Sequence, residues 1–368
     1  MSKSAVDAER LKQVASRLGE VAIDPTIWPD VMEQISAAAG ARGAVLLQGD
    51  SRTPDVPRTA GVDECIRSYF SEGWHLRDIR AERSVPLMLR GARVVTDQDI
   101  VTPEDMRRIG LYADSLARHG LQWFAGIGFW AGAAHWGLTI QRTPQEGPFD
   151  RHDKRIFAGL SRRLTETATL SQAVGRVALS SATNALDMVR QPALALDRSG
   201  FVFESNASAE QLFDEEIRVT NRRLILGDRR ARAALSDLID RLGIIPDTAA
   251  LPAEPIVVQR ATRRPLLIRV LPIDGAARNP FLGARVLLVF SDLARQPEPR
   301  MDVLAKTFGL SPAEAKLASL MAGGISLEQA ADELKIARDT ARNQLKAVFA
   351  KTTTHRQGEL VALLARLG

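Results

Sequence analysis

Residues 308–367 constrain the fold more than any other stretch of the chain. Ser311-Pro312-Ala313-Glu314 sets a capping Ser, a Pro in the first turn and a Glu three residues after the cap, which together open a helix. Gly323-Gly324 stops that helix, and Ser326-Leu327-Glu328-Gln329 repeats the capping pattern. Leu317, Leu320 and Met321 make the apolar stripe of the first helix; Leu327, Ala330, Ala331 and Leu334 make that of the second. A tight turn at Lys335-Ile336 leads into a third helix, expected from Arg338 to Lys351 with Ala341, Leu345 and Val348 inward. A fourth begins near Arg356 and carries Leu360, Val361, Leu363, Leu364 and Leu367. On the third helix, steps of about 100° place Asp339, Arg342, Asn343 and Lys346 opposite the apolar stripe. Arg and Lys contact guanine edges or phosphates, and Asn pairs with adenine. A solvated charged face is the plainer reading of the same residues. The order of short capped helices, Gly-Gly stop, tight turn and polar-faced helix favours the DNA reading.

Three segments carry a more specific likeness: Leu310–Ala315, Leu320–Ile325 and Ile336–Lys351. They resemble the LuxR-type helix-turn-helix. The resemblance implies double-stranded DNA as partner, with Arg342, Asn343 and Lys346 facing base edges and Thr340 and Lys351 near the backbone. Two departures stand out: Ala337 occupies the position usually held by a hydroxyl residue before the recognition helix, and the usual charged pair after it is inverted to Arg338-Asp339. Arg338 and Asp339 complete the candidate DNA-binding set. RNA polymerase is a further partner open to a regulator of this kind. The Trp/Tyr/Asp signature of the quorum-sensing ligand domain that accompanies the founding family is not evident upstream.

At 368 residues the chain is long enough for two or three domains. Composition divides it into residues 1–150, which hold every Trp and Tyr, a connector at 151–181, a block at 182–295 with Phe as its only aromatic, and the helical module at 300–368. Gln296-Pro297-Glu298-Pro299 reads as the linker before the module. In the connector Ile156, Leu160, Leu164, Leu170, Val174 and Val177 recur at helical steps, and Gly175 or Ser180-Ser181 could interrupt them. Two readings stay open for this helix: packing on its own domain, or a signalling helix shared by a homodimer.

In the first block, amphipathic helices around Leu11–Val21 and Ile27–Ile35 precede a buried strand at Gly43–Leu47. A hairpin follows, turning at Ala131-Gly132-Ala133. This α+β pattern, with Asp24–Asp30 at its opening, resembles a GAF-type sensor domain. The second block runs strand Pro192–Asp197, turn Arg198-Ser199-Gly200, strand Phe201–Phe203, Asn206, then a helix. That order resembles the start of an α+β PAS domain, with an unrelated small α+β domain as the alternative. Strands at Leu266–Leu271 and Ala284–Phe290 would complete its sheet.

Residue chemistry limits what these blocks bind. No His lies between His152 and His355, and the only Cys is Cys65. Haem with His ligation and a cysteinyl–flavin adduct are therefore excluded from residues 182–295, and no cofactor is expected. His75, His119 and His135 lack metal-ligand spacing, so no metal is expected either. Non-covalent ligands stay open, as an unidentified small-molecule signal. Trp74, Trp123, Phe129 and Trp136 are the pocket candidates, with plain core packing as the alternative for each. The chain lacks the phosphate-cradling GxxxxGK[ST] loop, HExxH and GxSxG, so no enzymatic activity is expected.

No run of about eighteen apolar residues occurs, the first residues lack the apolar stretch of a secretory signal, and a lone Cys suits a reducing compartment; a cytoplasmic protein is expected. The net charge of +5 and pI near 9.6 are compatible with nucleic acid. The reading is a one-component DNA-binding transcription regulator. Its rivals are a sigma-factor-like initiation module and a sensor that signals through protein contacts.

Overall fold

Alternating side chains give the first block a sheet with two buried faces. Strands β1 (Gly43–Gln48), β2 (Val94–Thr96), β3 (Trp123–Ala131) and β4 (Ala134–Arg142) form an antiparallel sheet in the order β1-β4-β3-β2. The computed structural model describes residues 6–49, 54, 56–243, 254–293, 301–365 and 367; the Gln296–Pro299 linker lies outside them. The expected hairpin forms, with Phe129 opposite Trp136 and Gly132 at positive φ in the turn. Ala44, Leu46, Ile127, Phe129 and Leu138 face a core closed by the helices Ala8–Arg17, Trp28–Ala38 and the long helix Arg151–Met188. Val45, Leu47 and Phe124 face a second core closed by Asp63–Ser71, Ile79–Leu89 and the π-helix Leu111–Leu116. The period of two along each strand is what supplies both cores from one sheet.

The connector is one unbroken helix to Met188, and neither Gly175 nor Ser180-Ser181 interrupts it. Asp150 caps it and pairs with Asp153 in a capping box. Thirty-eight residues reach about 57 Å at 1.5 Å each. Gly175 has a different use. A Cβ there would run into the Asn279 side chain and the Ala276 carbonyl, so glycine lets the segment 275–283 press against the helix. The expected single stripe divides in two. Leu160 and Leu164 are buried in the first core, whereas Leu170 and Val177 are 48% and 67% exposed. Six residues separate Leu164 from Leu170, which turns the helix about 120° away from a whole number of turns. The outward row also holds Ala173, Ser181, Asn184 and Met188, all exposed.

The second block forms a five-stranded sheet in the order β6-β5-β11-β10-β9, from β5 (Ala193–Asp197), β6 (Val202–Ser205), β9 (Ile256–Val258), β10 (Leu266–Pro272) and β11 (Ala284–Asp292). A separate hairpin pairs β7 (Ile217–Thr220) with β8 (Arg223–Leu226). Asn206 fixes the junction after β6. Its Oδ1 accepts from the Ala193 and Ala209 amides, and its Nδ2 donates to the Thr183 and Gln191 carbonyls. One buried amide thus ties the strand end, the short helix Ala207–Leu212 and the end of the long helix together. A further helix spans Arg229–Leu242, with Ala231, Leu235, Leu238 and Leu242 in its buried row.

Residues 1–259 with 267–291 form one compact unit and residues 260–266 with 292–368 another. Within the first, Phe281 from the segment between β10 and β11 enters the core of the first block. Trp28, Phe129 and Trp136 stand edge-on around it, with ring centroids 5.7, 5.8 and 5.2 Å away.

Candidate nucleic-acid interface

The second unit contains helices Met301–Phe308, Pro312–Ala322, Leu327–Leu334, Arg338–Thr352 and Gln357–Leu364. Both expected capping boxes are present: Ser311 with Glu314, and Ser326 with Gln329. Lys335 adopts a left-handed conformation at φ 55 and turns the chain into Arg338–Thr352. Ala337 offers no side-chain bond at that helix's start, as its methyl dictates.

Two small cores hold Arg338–Thr352 in place. Val348 packs with Leu304, Ala318, Leu360 and Leu364, and Leu345 bridges to Leu317 and Met321. Buried Ala318, Ala330, Ala331 and Ala341 let the helices approach closely. The opposite face is left to solvent. Arg338, Asp339, Thr340, Arg342, Asn343, Lys346 and Lys351 are all exposed.

The structure separates these seven. Asp339, Arg342, Asn343 and Lys346 lie within about 100° of arc around the helix axis, whereas Thr340 and Lys351 lie on a flank. Arg338 pairs with Glu328 at 3.1 Å and Arg342 with Asp339 at 3.5 Å, both pairs well exposed. Exposed pairs of this kind contribute about 0–1 kcal/mol, so either cation can exchange its partner for a phosphate at little cost. Lys351 is engaged more closely, with its Nζ 2.6 Å from Glu314 Oε2. The same Glu314 oxygen accepts the Ser311 amide at 2.7 Å. Lys351 thereby braces the cap of a neighbouring helix, a contact across 37 positions that no spacing in the sequence signals.

Lys351, with the Ser311 amide adding to it, holds the Glu314 carboxyl below the usual glutamate range. A folded-state value below the unfolded one stabilises the unit above the ordinary glutamate range, and the stabilisation is lost as pH falls through the depressed value. Glu314→Gln keeps a cap but loses the ion pair. Far-UV circular dichroism of residues 300–368 in urea should show the variant less stable at neutral pH. The difference from wild type should close on acidification below the carboxylate range; a difference constant with pH would refute the ion pair's role.

The four aromatic pocket candidates are split as well. Phe129 and Trp136 surround Phe281 in the first core, and Trp74 lies in the second core with its Nε1 3.1 Å from Glu72. Trp123 is half-buried at the edge of the second core. None of the four lines the cavity of about 60 Å3 that opens within the second core. Its walls include Tyr69, Arg80, Ser84, Ser115, Phe124 and Gln141. Polar residues with no shared motif gave no sign of it in the sequence; Tyr69 and Phe124 were legible only as aromatic content.

The sequence matches no protein-family model and no curated protein. Two solved structures are similar in part. The phage VqmA–DPO complex shares 14% identity over 53% of this chain and 91% of that one, with a TM-score of 0.21. The E. coli DhaR(N)–DhaL complex shares 13% identity over 76% of this chain and 87% of that one, with a TM-score of 0.24. Likenesses of that degree transfer no residue role. No helix among the described residues is long and apolar enough to cross a membrane.

Proposed function

We propose that the chain is a cytoplasmic one-component transcription regulator that acts by binding rather than by catalysis. Residues 300–368 bind double-stranded DNA through a LuxR-type helix-turn-helix. The α+β blocks before them, GAF-like and PAS-like, receive the signal. The observation that carries the reading is the helix Arg338–Thr352: its apolar side is anchored in two cores, and Arg342, Asn343 and Lys346 stand together on its open side. A rigid helix with clustered donors on one exposed face suits major-groove readout.

The outward row on the long helix supports a homodimer. Leu170, Val177 and Met188 are 48%, 67% and 87% exposed. Leu170 and Ser181, Ala173 and Asn184, and Val177 and Met188 each stand 11 positions apart. An eleven-residue repeat keeps one face of a nearly straight helix toward a partner. Ser181 and Asn184 make the row polar toward its end, and a polar side chain in such a seam fixes register at some cost in stability. A second copy would cover the row and present two recognition helices.

Selection of random duplexes by the full-length chain should return a motif of two related half-sites, with light scattering reporting a dimer. A lone half-site bound by a monomer would remove the dimer. Enrichment of no sequence, together with loss of binding by moderate salt alone, would remove sequence-specific regulation and leave signalling through protein contacts.

A further inference from the structure

The cavity in the second core has walls that are apolar in bulk and polar at chosen points. Ile66, Leu116 and Phe124 supply apolar surface. Ser115 and Ser84 line it too, at 2% and 6% exposure, and neither hydroxyl has a hydrogen-bond partner among the described residues. Ser115 belongs to the π-helix Leu111–Leu116, a wide turn seldom kept in a fold without local use.

Gln141 is the third such group, 7% exposed. Its Oε1 accepts from Arg80 Nη1 at 2.9 Å, which fixes the amide so that Nε2 is the end without a partner. Arg80 is itself locked. It donates to Tyr112 Oη at 3.1 Å and to the Gln122 carbonyl at 2.6 Å, and it pairs with Asp97 at 3.1 Å. Asp97 in turn accepts the Tyr112 hydroxyl and the Phe124 amide, each at 2.6 Å. The cavity therefore presents a held amide donor and two hydroxyls.

Charge narrows the ligand further. The Arg80 cation is matched by Asp97. The Asp78 carboxylate accepts the Arg80 and Ala81 amides and the Tyr69 hydroxyl. Burial pushes the Cys65 thiol up to about 11, so it is neutral at ordinary pH. An anionic ligand would enter beside the Asp78 carboxylate with the Arg80 cation already matched, a cost of several kcal/mol. A neutral oxygen acceptor would satisfy the open donors instead.

We propose that this cavity is the signal site of the first block and binds a small neutral carbonyl compound, an amide or ketone, whose oxygen accepts from Gln141 and the serine hydroxyls. The proposal rests on the sensor reading of that block and not on the DNA-binding one. A volume of about 60 Å3 is well below the roughly 150 Å3 that holds benzene, which restricts the ligand to a few heavy atoms.

Acetamide and its charged isostere acetate are the probes, with saturation-transfer NMR on the full chain as the readout. Acetamide should show transfer and acetate none. Ser84→Ala with Ser115→Ala should weaken acetamide about tenfold, the size of one lost neutral hydrogen bond or slightly more. Ser115→Leu fills the space and should abolish transfer; a melting curve shows whether it folds, and the double Ala variant carries the test if it does not. Absence of acetamide transfer in wild type, equal transfer from acetate, or full transfer in the double variant would overturn the site. Duplex binding measured on the same samples separates the two readings. Protein that binds DNA but not acetamide loses only the cavity, and protein that takes acetamide but not DNA loses only the regulator.

Discussion

Phe281→Ala is expected to destabilise the unit formed by residues 1–259 and 267–291 by about 3–5 kcal/mol, the range for deleting a buried aromatic side chain. Phe281 is 6% exposed and is packed edge-on by Trp28, Phe129 and Trp136. Little nearby can collapse into the void. Trp28 and Trp136 are themselves fully buried and pinned between the sheet and the helices. The backbone around Phe281 is tied down independently: its carbonyl accepts from Gln172 Nε2 at 2.9 Å, and Asn279 Nδ2 donates to the Ser171 carbonyl at 2.8 Å. The variant should therefore keep the segment in place and open a cavity rather than release the loop. Urea unfolding followed by tryptophan fluorescence reads this directly, because Trp28 and Trp136 form the cage. Phe281→Leu, which keeps most of the volume, should cost markedly less. A loss below about 1 kcal/mol for Phe281→Ala would mean that the ring does not sit in the cage.

What was legible in the sequence followed local chemistry. Capping residues placed the starts of Pro312–Ala322 and Leu327–Leu334, because a Ser with Glu or Gln three positions on can satisfy a helix start by itself. The Ala131-Gly132-Ala133 turn likewise placed the β3–β4 hairpin. Legibility failed where contacts are long-range. Phe281 lies between Pro280 and Leu282 with no periodic partner, so nothing in its own segment marks it as part of another block's core. The connector's apolar steps sum to helical multiples and so imply a single face. The phase slip between Leu164 and Leu170 sends one half inward and the other outward. The aromatic residues showed the first block to be rich in core material without saying which sheet face each would take. Strand parity decides that, and it sent Phe129 and Trp136 to the face opposite the cavity.

Arg342→Ala with Lys346→Ala should produce the largest functional loss while leaving the fold intact. Each side chain is worth about 1–3 kcal/mol if it reads a base edge, so each single variant should bind its selected duplex roughly tenfold to a hundredfold more weakly. The pair should lose more than either alone, and preference should relax at the operator positions they contact. Neither residue supports the module. Both are exposed, Arg342 touches only Asp339 among the ion pairs of the described residues, and alanine is the better helix former at both positions. Far-UV circular dichroism of the double variant should therefore match wild type. Leu345→Ala makes the control, since Leu345 packs against both small cores and its loss should weaken binding by loosening the helix. Titration at several salt concentrations separates the two kinds of contact: a lost phosphate contact lowers the salt slope by about one unit, and a lost base contact leaves it nearly unchanged. If the double variant stays folded and keeps both its affinity and its sequence preference, Arg338–Thr352 is not the recognition helix.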